Sequence, residues 1–288
     1  MNQKTKGILF IVCSAFCFAL MNAFVRLAGD LPSIQKSFFR NAVALVFALV
    51  ILLRERGGFR WKKGCLPLLL VRAGFGTVGI LCNYYAIDRL LLSDASMLNK
   101  LSPFAAILFS LWFLHEKVKP VQAAAICVAF VGALCIIKPS FNLTEFFPAL
   151  VGLCGGVAAG AAYTGVRALS KRGERGPYIV FFFSGFSCLV VLPWLLFNAV
   201  PMSAGQLAAL LGAGLAAAGG QFSITAAYSN APASEISVFD YSQIVFAAAL
   251  GFFLFGQIPD WLSIVGYCII CGVSVVMFCY NRRALKAY

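Results

Sequence analysis

Four charged side chains stand where charge is expensive. Arg40, Arg72, Lys100 and Asp240 each fall inside a long apolar stretch, roughly 9–12 Å from its nearer end at 1.5 Å per helical residue. A charge near a bilayer centre costs at least about 2.5–3.5 kcal/mol, so such groups face a partner or a wet cavity. Three cations against one anion leave a positive surplus, which suits a ligand bearing a carboxylate or another anionic group. Arg40 offers a planar fork for bidentate contact with a carboxylate, and Lys100 a point charge. The competing reading is a fixed ion pair between helices. Asp240 is the candidate for proton coupling, because an acid in a poorly solvated site holds or loses its proton as a cation beside it leaves or stays.

Other residues stand around these four. Arg26, Lys36, Arg167 and Glu235 lie within about a turn of a stretch end, where long side chains snorkel to the interface. Glu235 still joins Asp240 and Arg72 as a candidate for coupling or gating. Ser14, Phe18, Asn22 and Arg26 share one helical face, as do Arg72, Gly76, Gly79 and Asn83, with Tyr84 adjacent. Gly156, Gly160, Tyr163 and Arg167 form a third face, and Gln221 with Thr225 a fourth. Close helix packing is the main reading of Gly156 and Gly160. For Asn83, Asn99, Tyr163 and Gln221, interhelical hydrogen bonding and ligand contact are balanced. With Asn22, Arg40, Tyr84 and Lys100, and with Asn41 and Tyr241 beside the deep charges, these make up the candidate binding set. Phe181 to Phe183 and Phe252-Phe253 read as lipid-facing or packing residues.

The elements that carry them are apolar runs of spanning length. About 20 apolar residues cross the roughly 30 Å hydrocarbon layer, and such runs lie near 7–28, 33–53, 66–87, 94–114, 119–138, 146–169, 177–198, 205–228, 232–255 and 260–281. The chain is 61% hydrophobic and 11% charged, too apolar for a soluble surface. Short Gly-, Pro- and Asp-marked connections leave no room for a soluble domain. Its charge of +13 sits in tracts between runs, which fits positive-inside orientation better than nucleic-acid binding. With a cytoplasmic N-terminus, fifteen Lys and Arg fall in inside segments, and only Arg89 and Lys138 in outside loops. Both termini are then cytoplasmic. Arg40 and Lys100 sit in the outer half of the bundle, and Arg72 and Asp240 in the inner half.

Asp94 to Lys117 has a looser copy at Ala233 to Gln257. The chain thus reads as one five-helix module written twice, residues 1–139 and 140–288. Five is odd, so the second copy enters from the opposite side. The fold class is all-α integral membrane, ten transmembrane helices in two inverted repeats, an architecture recurrent in secondary transporters.

Several motifs carry a resemblance: Phe38-Phe39-Arg40-Asn41, Tyr85-Ala86, and Asp94-Ala95-Ser96 followed by Pro103, Glu116, Gln122 and Gly132. In the second half it continues through Ala231-Pro232-Ala233-Ser234, Tyr241-Ser242, Phe255 to Asp260, and Gly266. The chain resembles the drug/metabolite transporter superfamily, specifically its tandem EamA-domain proteins, over nearly its whole length. The resemblance implies a multi-pass carrier of the bacterial inner membrane that moves a small organic metabolite by alternating access. The solute is amino-acid-like, carboxylate-bearing or otherwise polar, moved by proton coupling or exchange. A cationic, zwitterionic or nucleobase-like solute is the alternative. Glu116 is implied as a gating residue, and Gln257 departs from the Glu that the family carries at the matching place in the second copy.

Other functions fit less well. One His and dispersed acids make a membrane enzyme a poor reading, and no P-loop is present to supply ATP hydrolysis. A pore is a third reading. The eleven Cys sit mostly within apolar runs, and Cys268-x-x-Cys271 lies in a lipid-compatible one, so no disulfide, metal or other cofactor is expected. The expected partners are the substrate and the lipid bilayer, without nucleic acid, for a monomer or a homodimer.

Overall fold

A computed structural model describes residues 3–55, 59–102, 104–105, 108–109, 120–137, 143–230 and 237–286. Every regular element among them is helical: α1 (Gln3–Leu27), α2 (Ser33–Arg54), α3 (Leu66–Arg89), α4 (Leu92–Asn99), α5 (Pro120–Ile137), α6 (Leu143–Lys171), α7 (Gly176–Asn198), α8 (Ala204–Asn230), a 3-10 turn (Ser237–Tyr241), α9 (Ser242–Phe255) and α10 (Trp261–Lys286). Six are long and apolar enough to cross a membrane: α1, α2, α3, α6, α7 and α8. The chain is therefore a multi-pass membrane protein of helices.

Its polarity is arranged accordingly. In α2 the buried positions include Gln35, Lys36, Ser37, Arg40 and Asn41, while Val46, Val50 and Leu53 face outward. Polar residues go inward because lipid, unlike water, offers them no hydrogen bonds. Leu53, Leu189, Phe197 and Phe253 are 66%, 70%, 87% and 80% exposed, a cost in water but none in hydrocarbon.

Two of the expected continuous spans are interrupted, and both interruptions fall at the site. The run 94–114 is α-helical to Asn99, turns at Lys100 and Leu101, and is helical again at the described residues from Ser102 onward. Most of its second half lies outside the described residues. In the run 232–255, α9 begins only at Ser242, after the 3-10 turn that carries Asp240 and Tyr241. Hydropathy continues through both breaks, so it cannot reveal them.

The bundle closes through helix pairs far apart in sequence. The two most extensive packings are α1 on α8 and α3 on α6, followed by α2 on α7 and α5 on α10. Glycines let these backbones approach. A Cβ at Gly79 would meet the Ala159 amide nitrogen and the Gly155 carbonyl, both at 3.3 Å, and one at Gly266 would lie 2.7 Å from the Gly132 carbonyl. Ser14 on α1 donates to the Gly220 carbonyl on α8 at 2.9 Å.

Candidate functional site

The pairs surround a cavity of about 90 Å³ at the interior breaks of α4 and α9. At about 30 Å³ per water it holds a few waters, and it falls below the roughly 300–1,000 Å³ that enclose a drug-sized ligand. A small solute is what fits. Of the candidate binding residues, Asn22 (α1), Arg40 (α2), Asn83 and Tyr84 (α3), Asn99 and Lys100 (end of α4), Tyr163 (α6) and Gln221 (α8) line it. Arg72 lines it as well, although it was expected to gate rather than bind. Asn41 and Tyr241 do not reach it: both are buried behind the lining.

Two guanidiniums dominate one wall. Arg40 and Arg72 are 3% and 5% exposed, and both lie near the ring of Phe183, with guanidinium carbons 5.8 Å and 4.2 Å from its centroid. The negative face of the ring attracts a cation without neutralising it. Arg40 donates one hydrogen bond to Asn41 Oδ1 at 2.6 Å. Asn41 is held in turn by bonds to the hydroxyls of Ser37 and Ser187, at 3.2 Å and 2.8 Å. The Nε of each arginine is buried without a hydrogen-bond partner, and so are Asn22 Oδ1 and the Tyr84 hydroxyl. Asn22 uses its Nδ2 on the Ser96 hydroxyl, at 3.3 Å. Gly76 makes the arrangement possible: a Cβ there would lie 2.2 Å from Arg72 Nη1 and 2.8 Å from the Phe183 ring.

Lys100, also on the lining, belongs to an ion pair. Lys100 Nζ meets Asp240 Oδ2 at 2.5 Å, with side chains 7% and 14% exposed. Tyr241 steadies the pair from behind, its hydroxyl donating to the Lys100 carbonyl at 3.2 Å. Charges expected in the outer and inner halves are brought together in pairs. Lys100 and Asp240 touch, and Arg40 and Arg72 share one ring. Lys100, expected as a cation for the anionic group, is paired with Asp240 in this structure.

A second polar cluster lies where α1, α3 and α9 end and α4 begins. Arg26 Nη1 donates to the carbonyls of Ile87 and Leu90 at 3.1 Å and 2.5 Å, and its guanidinium lies 5.3 Å from the Phe255 ring centroid. Gln257 Oε1 accepts from the Leu92 amide at 2.9 Å, at the start of α4. Tyr267 donates to Asp94 at 2.5 Å. Snorkelling is the wrong account of Lys36, which is wholly buried and donates to Asp88 Oδ1 at 2.6 Å. Asp88 had escaped notice because it lies at the very end of α3. Among the other candidates, Glu116 and Glu235 lie outside the described residues, as do the side chains of Arg167 and Thr225.

Sequence reasoning missed Phe183 and Gln243. Phe183 is 2% exposed, and its signal was position: it stands one turn before Ser187, which bonds Asn41 on α2. Gln243 is buried on the cavity wall and immediately follows Tyr241-Ser242.

Known proteins share this architecture. The EamA-like transporter family matches twice, over residues 5–138 and 146–279. The chain is 36% identical to the pseudopaline exporter CntI of Pseudomonas aeruginosa over 283 residues, covering 97% of this chain and 96% of that protein. It is 28% identical to a riboflavin transporter of Brucella anthropi (92% and 95% covered) and 24% identical to human solute carrier family 35 member G1 (92% and 77%). A crystal structure aligns with TM-score 0.70 at 15% identity, over 97% of this chain and 99% of that one, which shows a shared fold.

Proposed function

The chain belongs to the EamA-like transporter family, and we propose that it carries a small organic solute with an anionic group across the bacterial cell membrane by alternating access. One observation carries the choice of solute: Arg40 and Arg72 line the cavity with no carboxylate partner among the described residues. An arginine removed from water needs a compensating anion, and the bidentate fork suits a carboxylate.

The carrier mechanism rests on two matched halves, residues 1–139 and 140–288, with opposite orientation and cytoplasmic termini. The second family match starts and ends 141 residues after the first. At that offset α1 corresponds to α6 and α3 to α8, so the α1–α8 packing becomes the α6–α3 packing. Pairs α2–α7 and α5–α10 map onto themselves. A two-fold relation between the halves produces this pattern, and a site on its axis is exposed to each side in turn as one bundle rocks against the other. Lys100 corresponds to Tyr241 and Asn99 to Asp240, so the ion pair sits on that axis.

Lys100–Asp240 is the coupling element: an anion that draws Lys100 away leaves Asp240 free to take a proton. Purified protein in liposomes tests both steps. Arg40→Gln abolishes saturable uptake of labelled organic anions while inserting normally. In Asp240→Asn an imposed pH gradient no longer changes the rate. Full uptake by the first variant removes Arg40 from the site, and a rate that still follows the gradient in the second removes Asp240 from coupling.

A further inference from the structure

We propose that the substrate is a dianion, with two negative charges on one small molecule, held between Arg40 and Arg72. This rests on the anion-carrier reading above and sharpens it. Both guanidinium carbons are located from one ring centroid, at 5.8 Å and 4.2 Å, so they lie no more than about 10 Å apart. That separation suits two carboxylates on a short chain, each reached through charge-assisted bonds of about 2.7–2.9 Å. A single phosphate group bridging both arginines carries the same charge.

Charge balance decides between one negative charge and two. While their pair is intact Lys100 and Asp240 cancel each other, and the two arginines have no carboxylate partner among the described residues. Like charges so close, in a poorly solvated space, repel. When the cavity shuts and sheds its water, a monoanion leaves one buried guanidinium uncompensated, and a dianion leaves none. The unpartnered atoms agree. Each arginine keeps a buried Nε–H without an acceptor, and the buried Tyr84 hydroxyl adds a third donor. On the same lining Asn22 Oδ1 is an open acceptor, which suits a hydroxyl or amine on the same molecule.

The two arginines are not equivalent. Arg40 is anchored by Asn41, itself tied to Ser37 and Ser187. Arg72 makes no hydrogen bond to a described side chain and leans on Phe183 over Gly76. Arg40 is thus the fixed subsite that any anion uses, and Arg72 the one that counts the second charge.

Ligand-induced thermal stabilisation of the purified full-length protein, converted to apparent affinity, tests this. The probes are succinate against monomethyl succinate, and glycerol phosphate against glycerol. In the wild type at least one dianion binds at least tenfold more tightly than its less charged counterpart. Arg72→Gln reduces that ratio to near one by weakening the dianion more than the monoanion, and Arg40→Gln weakens both. Gly76→Ala, which keeps both charges but displaces the Arg72 guanidinium, lowers the ratio in the same way and covers the case in which Arg72→Gln fails to fold. Equal binding of monoanion and dianion, or equal loss of both in Arg72→Gln, overturns the two-charge assignment but leaves the carrier of anions standing. Binding of no anion overturns both.

Discussion

The Lys100–Asp240 pair makes a quantitative prediction about stability. Unit charges 2.5 Å apart attract by about 7 kcal/mol at an effective dielectric of 20. Taking both from water costs several kcal/mol each, so the pair as a whole contributes little. Removing one member is different, because the survivor stays buried alone. Lys100→Met or Asp240→Asn should each cost about 3–5 kcal/mol. The double variant should be far less damaged than the sum, giving a coupling energy of about 3 kcal/mol in a double-mutant cycle. Reversible unfolding in detergent, monitored by Trp fluorescence, reads the cycle. The same proteins in liposomes read function: the double variant folds but no longer couples flux to a pH gradient. Additive losses, with no coupling energy, would show that the charges do not depend on each other and would refute the pairing.

Two other predictions concern packing and closure. Gly266→Ala drives a Cβ to 2.7 Å from the Gly132 carbonyl, a backbone atom that cannot step aside, and should lower the melting temperature markedly. Gly272→Ala on the same helix has nothing within 4 Å and should stabilise by about 0.5–1 kcal/mol, so equal effects of the two would discredit the close α5–α10 crossing. Gln257→Glu keeps the acceptor for the Leu92 amide and adds charge at a helix start, where anions are favoured. It should raise the melting temperature and slow turnover in liposomes, whereas Gln257→Leu, which orphans that amide, should lower the melting temperature. Unchanged turnover in both variants would free the cluster around Gln257 from any role in gating.

Much of this was legible in the residues. The edges of the long helices follow hydropathy, because lipid penalises polarity so strongly that span limits are written in composition. The lining was legible too, since Asn22, Asn83 and Gln221 cost too much to face lipid. Partners were not. Nothing in the spacing says that Lys100 meets Asp240 140 residues away, or that Lys36 finds Asp88 rather than the interface. Phe183 was read only as lipid-facing or packing, because an aromatic ring suits lipid, a core and a guanidinium equally well. Which one it meets depends on how α7 is rotated, and Gly76 sets that as much as Phe183 does.

The principal partner of α1 is α8, and that of α3 is α6. During synthesis the first three helices therefore enter the bilayer long before the surfaces they are cut to fit. Until α6 emerges from the ribosome, the small-residue seam around Gly79 faces lipid chains, and so does the Ser14 hydroxyl until α8 follows. A polypeptide stopped after residue 139 would insert but could not assemble. The two fragments expressed separately in one cell should find each other, because almost every large contact in the molecule runs between them.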